Sequence, residues 1–164
     1  HDALPISEQL ERAFELFGIF DQAKGMSDLA ATLEYVRAHK DCNNKVGCMG
    51  YCLGGKLAYE MATDTDIDAA VSYYGVGLDG MLDKADNFSA PVLIHIAGED
   101  EFTPKDAQDK IIAAMDNNEF AQTHRYEGME HAFARGGGMH YNKDSADLAN
   151  RRSYEFLEQT LKAS

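Results

Sequence analysis

Positive charge is scarce in this chain: 15 Lys and Arg stand against 28 Asp and Glu, a formal charge of −13 over 164 residues. Nucleic acid and anionic membrane surfaces attract Lys/Arg-rich faces, so neither is expected as the main partner. Cysteine is scarce too. Three is an odd number and too few for a disulfide framework, so a reducing compartment, the cytoplasm, is the expectation. No stretch approaches the roughly 18 apolar residues of a transmembrane helix. No charged segment leads into an apolar one in the manner of a secretory signal. Metal-ligand spacing is also lacking. Cys42 and Cys48 have no second Cys/His pair beside them, and His39, His95, His124 and His140 show no His-x-x-x-His pattern, so no metal is expected.

What is present is 45% apolar residues, enough for a substantial core in a chain whose length fits one domain. Residues 1–6 carry no helix or strand pattern and resemble a translated sequencing-library adapter. They are expected to be a foreign leader, with the natural start missing. Apolar spacing from Leu10 through Phe14, Leu16, Phe17 and Phe20 predicts an amphipathic helix capped by Ser7. A second helix is expected over Ser27–His39, capped by Ser27. Strands are expected at Lys45–Met49, Asp68–Tyr74, Pro91–Ala97 and Gln122–Tyr126, and helices at Gly54–Thr63, Pro104–Asn117 and Ser145–Leu161. A Gly- and Asp-rich loop follows Tyr74. His95 falls mid-strand and reads as a satisfied core residue. This alternation implies an α/β fold with a mostly parallel sheet flanked by helices.

The strongest local signal is Gly50-Tyr51-Cys52-Leu53-Gly54, a G-x-S-x-G nucleophile elbow with sulfur in place of oxygen. A buried strand precedes it and a helix follows, as the elbow requires. The turn is strained, so its neighbours must be small, and Gly50, Gly54 and Gly55 supply that. The helix N-terminus favours a thiolate at Cys52. The backbone N–H of Leu53 then becomes one oxyanion donor. A thiol nucleophile needs a base and an acid to orient it. Asp100 opens the loop at the carboxyl end of the Pro91–Ala97 strand. His131 lies in the loop after the last strand. Type, order and placement fit the acid-then-His sequence that follows an elbow. Arg135, four residues after His131, is a candidate for an anionic substrate group.

With these residues in place, the chain resembles the dienelactone hydrolase family (carboxymethylenebutenolidases) of the α/β-hydrolase superfamily, from about Ser7 to the C-terminus. The resemblance rests on Lys45-Val46-Gly47, Gly50–Gly55, Tyr73-Tyr74-Gly75-Val76-Gly77-Leu78, Gly98-Glu99-Asp100-Glu101-Phe102 and His131-Ala132-Phe133-Ala134-Arg135. It implies Cys52 as nucleophile, His131 as base, Asp100 as orienting acid and Arg135 on the substrate carboxylate. The implied reaction opens a dienelactone to maleylacetate, in aromatic degradation, through an acyl-enzyme and without a cofactor. The implied partner is a small-molecule ester or lactone, and a monomer is expected. Family members carry about two further βα units upstream, including a second oxyanion N–H and a glutamate that activates the cysteine. Residues 7–164 are therefore expected to be a partial α/β-hydrolase domain with its N-terminal strands missing, weakly active or inactive alone and with an apolar sheet edge exposed. A second substrate-binding arginine of the family falls at Leu10 here, with Arg12 two residues away. The rival readings are a non-catalytic module binding a ligand or partner through the same pocket, and a redox sensor at Cys52.

Overall fold

A computed structural model describes the backbone of residues 6–162 and the side chains of residues 11–162. The expected leader therefore lies outside the described residues except for Ile6, as do the side chains of Ser7 and Leu10. Helix α1 spans Ile6–Gly18 and α2 Gln22–Arg37. Strand β1 is Gly47–Tyr51, followed by α3 at Leu53–Asp64 and β2 at Ala69–Tyr73. A 3-10 segment kinked at Met81 covers Leu78–Asn87 and leads to β3 at Val92–Ala97. Helix α4 at Lys105–Met115, β4 at Ala121–Tyr126 and α5 at Lys143–Leu161 complete the chain.

Two helix starts differ from expectation. Helix α1 begins at Ile6, which puts Ser7 inside it. Helix α2 begins five residues before Ser27, because Asp21 holds extended backbone angles and its carboxylate accepts the Lys24 N–H at 3.0 Å. That satisfies an N–H that the helix start leaves unpaired. The Gly- and Asp-rich stretch after Tyr74 is not a loop but the 3-10 segment, whose Leu78, Met81 and Ala85 are buried.

The four strands pair in the order β1-β2-β3-β4, all parallel. Right-handed crossovers in a sheet that grows in one direction put every connection on one face. Here α2, α3, the 3-10 segment and α4 pack on that face around Tyr59, Ile94, Ile111 and Met115. Helix α5 covers the other face through Ala149 and Phe156, against Val71, Leu93 and Phe133. β2 and β3 are buried on both sides, as central parallel strands should be. Among the described residues β1 pairs on one side only. A groove beside its free edge is lined by Leu29, Leu33, Val46, Met49, Leu57 and Ile67, among others. No described helix is long and apolar enough to cross a membrane.

His95, fully buried on β3, sits in a polar network between sheet and α5. Its Nδ1 lies 2.9 Å from the Tyr126 hydroxyl and its Nε2 2.9 Å from Ser153 Oγ. Tyr73 joins through Ser153 at 2.7 Å and donates to Asn150. Arg152 donates to the Tyr126 hydroxyl. Burial, with minor help from His124 and Arg152, holds His95 down at about 3 against an ordinary 6.5. The unfolded chain therefore takes up a proton below pH 6.5 that the folded chain refuses until about pH 3. This site is expected to remove about 2 kcal/mol of stability between pH 7.5 and pH 5. Urea midpoints at both pH values, compared with His95→Gln, read this directly. An equal loss in the variant would show that His95 is not the source.

Candidate active site

All the expected site residues gather at the carboxyl edge of the sheet. Cys52 follows β1, Tyr74 follows β2, Asp100 follows β3 and His131 lies in the loop after β4. Parallel α/β sheets form their crevices at this edge. Cys52 sits at the turn into α3 with φ 56° and ψ −118°, a conformation few side chains tolerate. The cause of the turn is steric. A Cβ on Gly50 would come within 1.9 Å of the Gly54 carbonyl oxygen, and one on Gly55 within 2.7 Å of the Tyr73 carbonyl oxygen. Gly54 differs from expectation, since a Cβ there would meet nothing within 4 Å. The cramped positions are Gly50 and Gly55. The Cys52 N–H donates to the Tyr73 carbonyl at 3.0 Å and anchors the turn to β2. Leu53 is the first residue of α3, so its N–H has no acceptor within the helix.

Backbone strain concentrates here. Of the four described non-glycine residues with positive φ, Cys52, Tyr74 and Ala132 lie at the site, and Asn44 lies in a distant turn. Strain of this kind costs of order 1–3 kcal/mol each and survives only where the surroundings enforce it. Tyr74 turns its ring to within 5.0 Å of the His131 imidazole and 5.6 Å of Phe133. Phe102 meets His131 edge-on at 4.8 Å and is about half exposed. Neither ring's contact is readable in the sequence, because strand-end and loop aromatics carry no periodic signal.

The His131 Nδ1 lies 2.8 Å from Asp100 Oδ2, and the Asp100 side chain is almost wholly buried. The other Asp100 oxygen accepts the Phe102 N–H at 2.9 Å. His131 Nε2 is buried and has no hydrogen-bond partner of regular geometry among the described residues. Burial pulls His131 down, but the hydrogen bonds and negative charge of Asp100 and of the neighbouring Cys52 sulfur together outweigh it. The net result is a value pushed up to about 9. The ring therefore favours its protonated form beside the Cys52 sulfur, an arrangement that can stabilise a thiolate and deliver a proton.

Arg135 is exposed, with its charge acting on Tyr74, and makes no ion pair among the described residues. Arg12 is held by Glu15 on its own helix at 2.7 Å and joins no site residue. Cys48 packs in the layer under α2 and α3, whereas Cys52 packs with the α5 layer. Burial pushes Cys48 up to about 12, an inert thiol. His39 lies 3.7 Å from Asp41, and His140 pairs with Glu130. No group of three or more described His, Cys, Asp or Glu residues could hold a metal ion.

A family model described as the dienelactone hydrolase family matches residues 6–161. The carboxymethylenebutenolidase of Pseudomonas putida is 41% identical over 149 residues, covering 91% of this chain and 63% of that protein. Carboxymethylenebutenolidase 1 of Cupriavidus pinatubonensis is 31% identical over 152 residues, covering 93% of this chain and 64% of that protein. The chain thus spans just under two thirds of the length of these curated relatives. The crystal structure of a dienelactone hydrolase-like promiscuous phosphotriesterase from metagenomic libraries superposes with a TM-score of 0.75 at 19% identity. The match covers 98% of this chain and 70% of that one. The fold is the α/β-hydrolase fold.

Because Asp100 holds the His131 proton, Asp100→Asn is expected to lower the His131 titration midpoint by about two units from its value near 9. The imidazolium's contribution to stability, full below pH 6.5 and lost as pH rises through 9, should disappear with it. Imidazole NMR titration checks this, and an unchanged midpoint would contradict it.

Proposed function

This chain belongs to the dienelactone hydrolase family, and we propose that its protein hydrolyses a carboxylic ester or lactone through Cys52, His131 and Asp100. The observation that carries the proposal is the pairing of a thiol on a strained elbow with a His131–Asp100 hydrogen bond on the same sheet edge. The Cys52 thiolate attacks the carbonyl carbon, and the tetrahedral oxyanion turns toward the Leu53 N–H. The carbon–oxygen bond then breaks. The leaving oxygen, an alkoxide or the enolate of an opened enol lactone, takes up the His131 proton as it departs. This yields a thioester on Cys52. Neutral His131 next takes a proton from water, the hydroxide adds to the thioester, and sulfur departs as thiolate beside the restored imidazolium. Asp100 keeps Nδ1 protonated, so that Nε2 is the nitrogen that exchanges protons with substrate and water.

The curated relatives are named carboxymethylenebutenolidases, which makes an unsaturated lactone bearing a carboxylate the leading substrate class. Arg135, exposed at the rim and free of an ion pair among the described residues, supplies the positive charge that such a substrate needs in a protein of charge −13. The domain is proposed to be partial, its upstream portion supplying the second oxyanion donor. One missing donor typically costs roughly 10²–10³ in kcat.

Cys52→Ala is expected to abolish hydrolysis of dienelactone and of small aryl esters by the protein that contains this chain. Unchanged turnover would remove the nucleophile assignment. Arg135→Ala is expected to raise KM about 10- to 100-fold for a carboxylate-bearing ester and to leave a neutral ester's kcat/KM near its original value. Equal losses on both esters would remove the carboxylate role.

A further inference from the structure

Gln108 is a polar side chain with no exposed surface, one turn into α4. Its Nε2 donates to the Thr103 carbonyl at 2.8 Å and to the Gly98 carbonyl at 3.3 Å. Those two carbonyls bracket Glu99, Asp100, Glu101 and Phe102. An amide NH2 has two hydrogens, so one nitrogen serves both ends of the loop. We infer that Gln108 is a positioning residue for the reaction, a clamp on the loop that aims Asp100 at His131.

The rest of the loop shows why a clamp is needed. Glu99, Glu101 and Phe102 are exposed, so apolar burial does little to hold them. The loop is tied to the β4 side through the Gly98 N–H to the Tyr126 carbonyl and the Glu99 N–H to the Met129 carbonyl. Gly98 itself is cramped, since a Cβ there would lie 2.8 Å from the Tyr126 carbonyl oxygen. These ties fix only the start of the loop. The Phe102 N–H to Asp100 bond is internal and fixes its shape, not its place. Lys105 reaches Glu99 and Glu127 from a half-exposed position, where an ion pair is weak. Gln108 is the buried hydrogen-bonding side chain that joins both ends of the loop to a rigid helix. A carboxylate displaced by a fraction of an ångström would loosen its bond to Nδ1 and lower the imidazole's affinity for its proton. Asparagine is a methylene too short to span both carbonyls. Methionine matches the volume but donates nothing.

The inference rests on the proposed roles of Asp100 and His131. Its test reads His131 without turnover. In Gln108→Met, NMR titration should find the His131 midpoint lowered by about one unit. In the protein that contains this chain, kcat should fall about 10- to 100-fold with KM within about twofold. The alkaline limb of the rate profile should move the same way as the midpoint. If Gln108→Met does not fold, Gln108→Asn is titrated in its place, with a smaller downward shift expected. An unchanged His131 midpoint in the folded variant, with only a lower Tm, would overturn the positioning role and leave Gln108 a packing residue. Turnover that survives Cys52→Ala would refute the catalytic reading instead, and the midpoint would still report on the clamp.

Discussion

The hydrogen bond between His131 Nδ1 and Asp100 Oδ2 is the contact on which the chemistry proposed for this molecule depends. Its two residues are 31 positions apart and sit on separate loops. Only the parallel pairing of β3 with β4, in a register that sets His95 opposite His124, brings the loops side by side. The buried carboxylate, with the Cys52 sulfur, raises the proton affinity of the partly buried imidazole against the desolvation that opposes it. Without that bond the cysteine would sit on a strained turn beside a neutral ring, and the proposed thiolate would lose its cationic partner and proton donor.

The fold supports the bond from both faces of the sheet. On one face, α3 and α4 begin next to the loops they follow, so Leu53 and Gln108 reach the site from rigid elements. On the other face, α5 locks Tyr126 through Arg152 and His95 through Ser153. Phe133 then packs on Tyr126 at 4.8 Å, two residues beyond His131. The strained residues Cys52, Tyr74 and Ala132 lie where these supports converge. The cost of those conformations is met by packing around them, which is the usual relation between strain and a functional site.

The sheet and the three central candidate residues, Cys52, Asp100 and His131, are legible in the amino-acid order alone. Apolar runs such as Val92–Ala97 announce buried parallel strands, and Gly50-x-Cys52-x-Gly54 carries its own stereochemistry. The features that are not legible there have a different physical origin. The start of α2 depends on one Asp21 side chain choosing a backbone N–H. The 3-10 segment repeats at three residues and so lacks the 3.6-residue period by which helices are recognised. Gly54 reads as sterically required from its residue type, whereas the space at a glycine depends on which backbone comes near. The contacts of Tyr74, Phe102, His95 and Gln108 join residues far apart in sequence. For Gln108 the only hint is a polar residue on the helix face shared with Ile111 and Met115.

The central claim is that the Cys52 sulfur carries the acyl group between the two halves of the reaction. Rapid-quench mass spectrometry of the protein mixed with an activated aryl ester tests it directly. The expected result is a transient mass gain equal to the acyl group, mapped to the peptide that contains Cys52 and decaying at the rate of turnover. Turnover with no acyl adduct, or with the adduct on another residue, would contradict it.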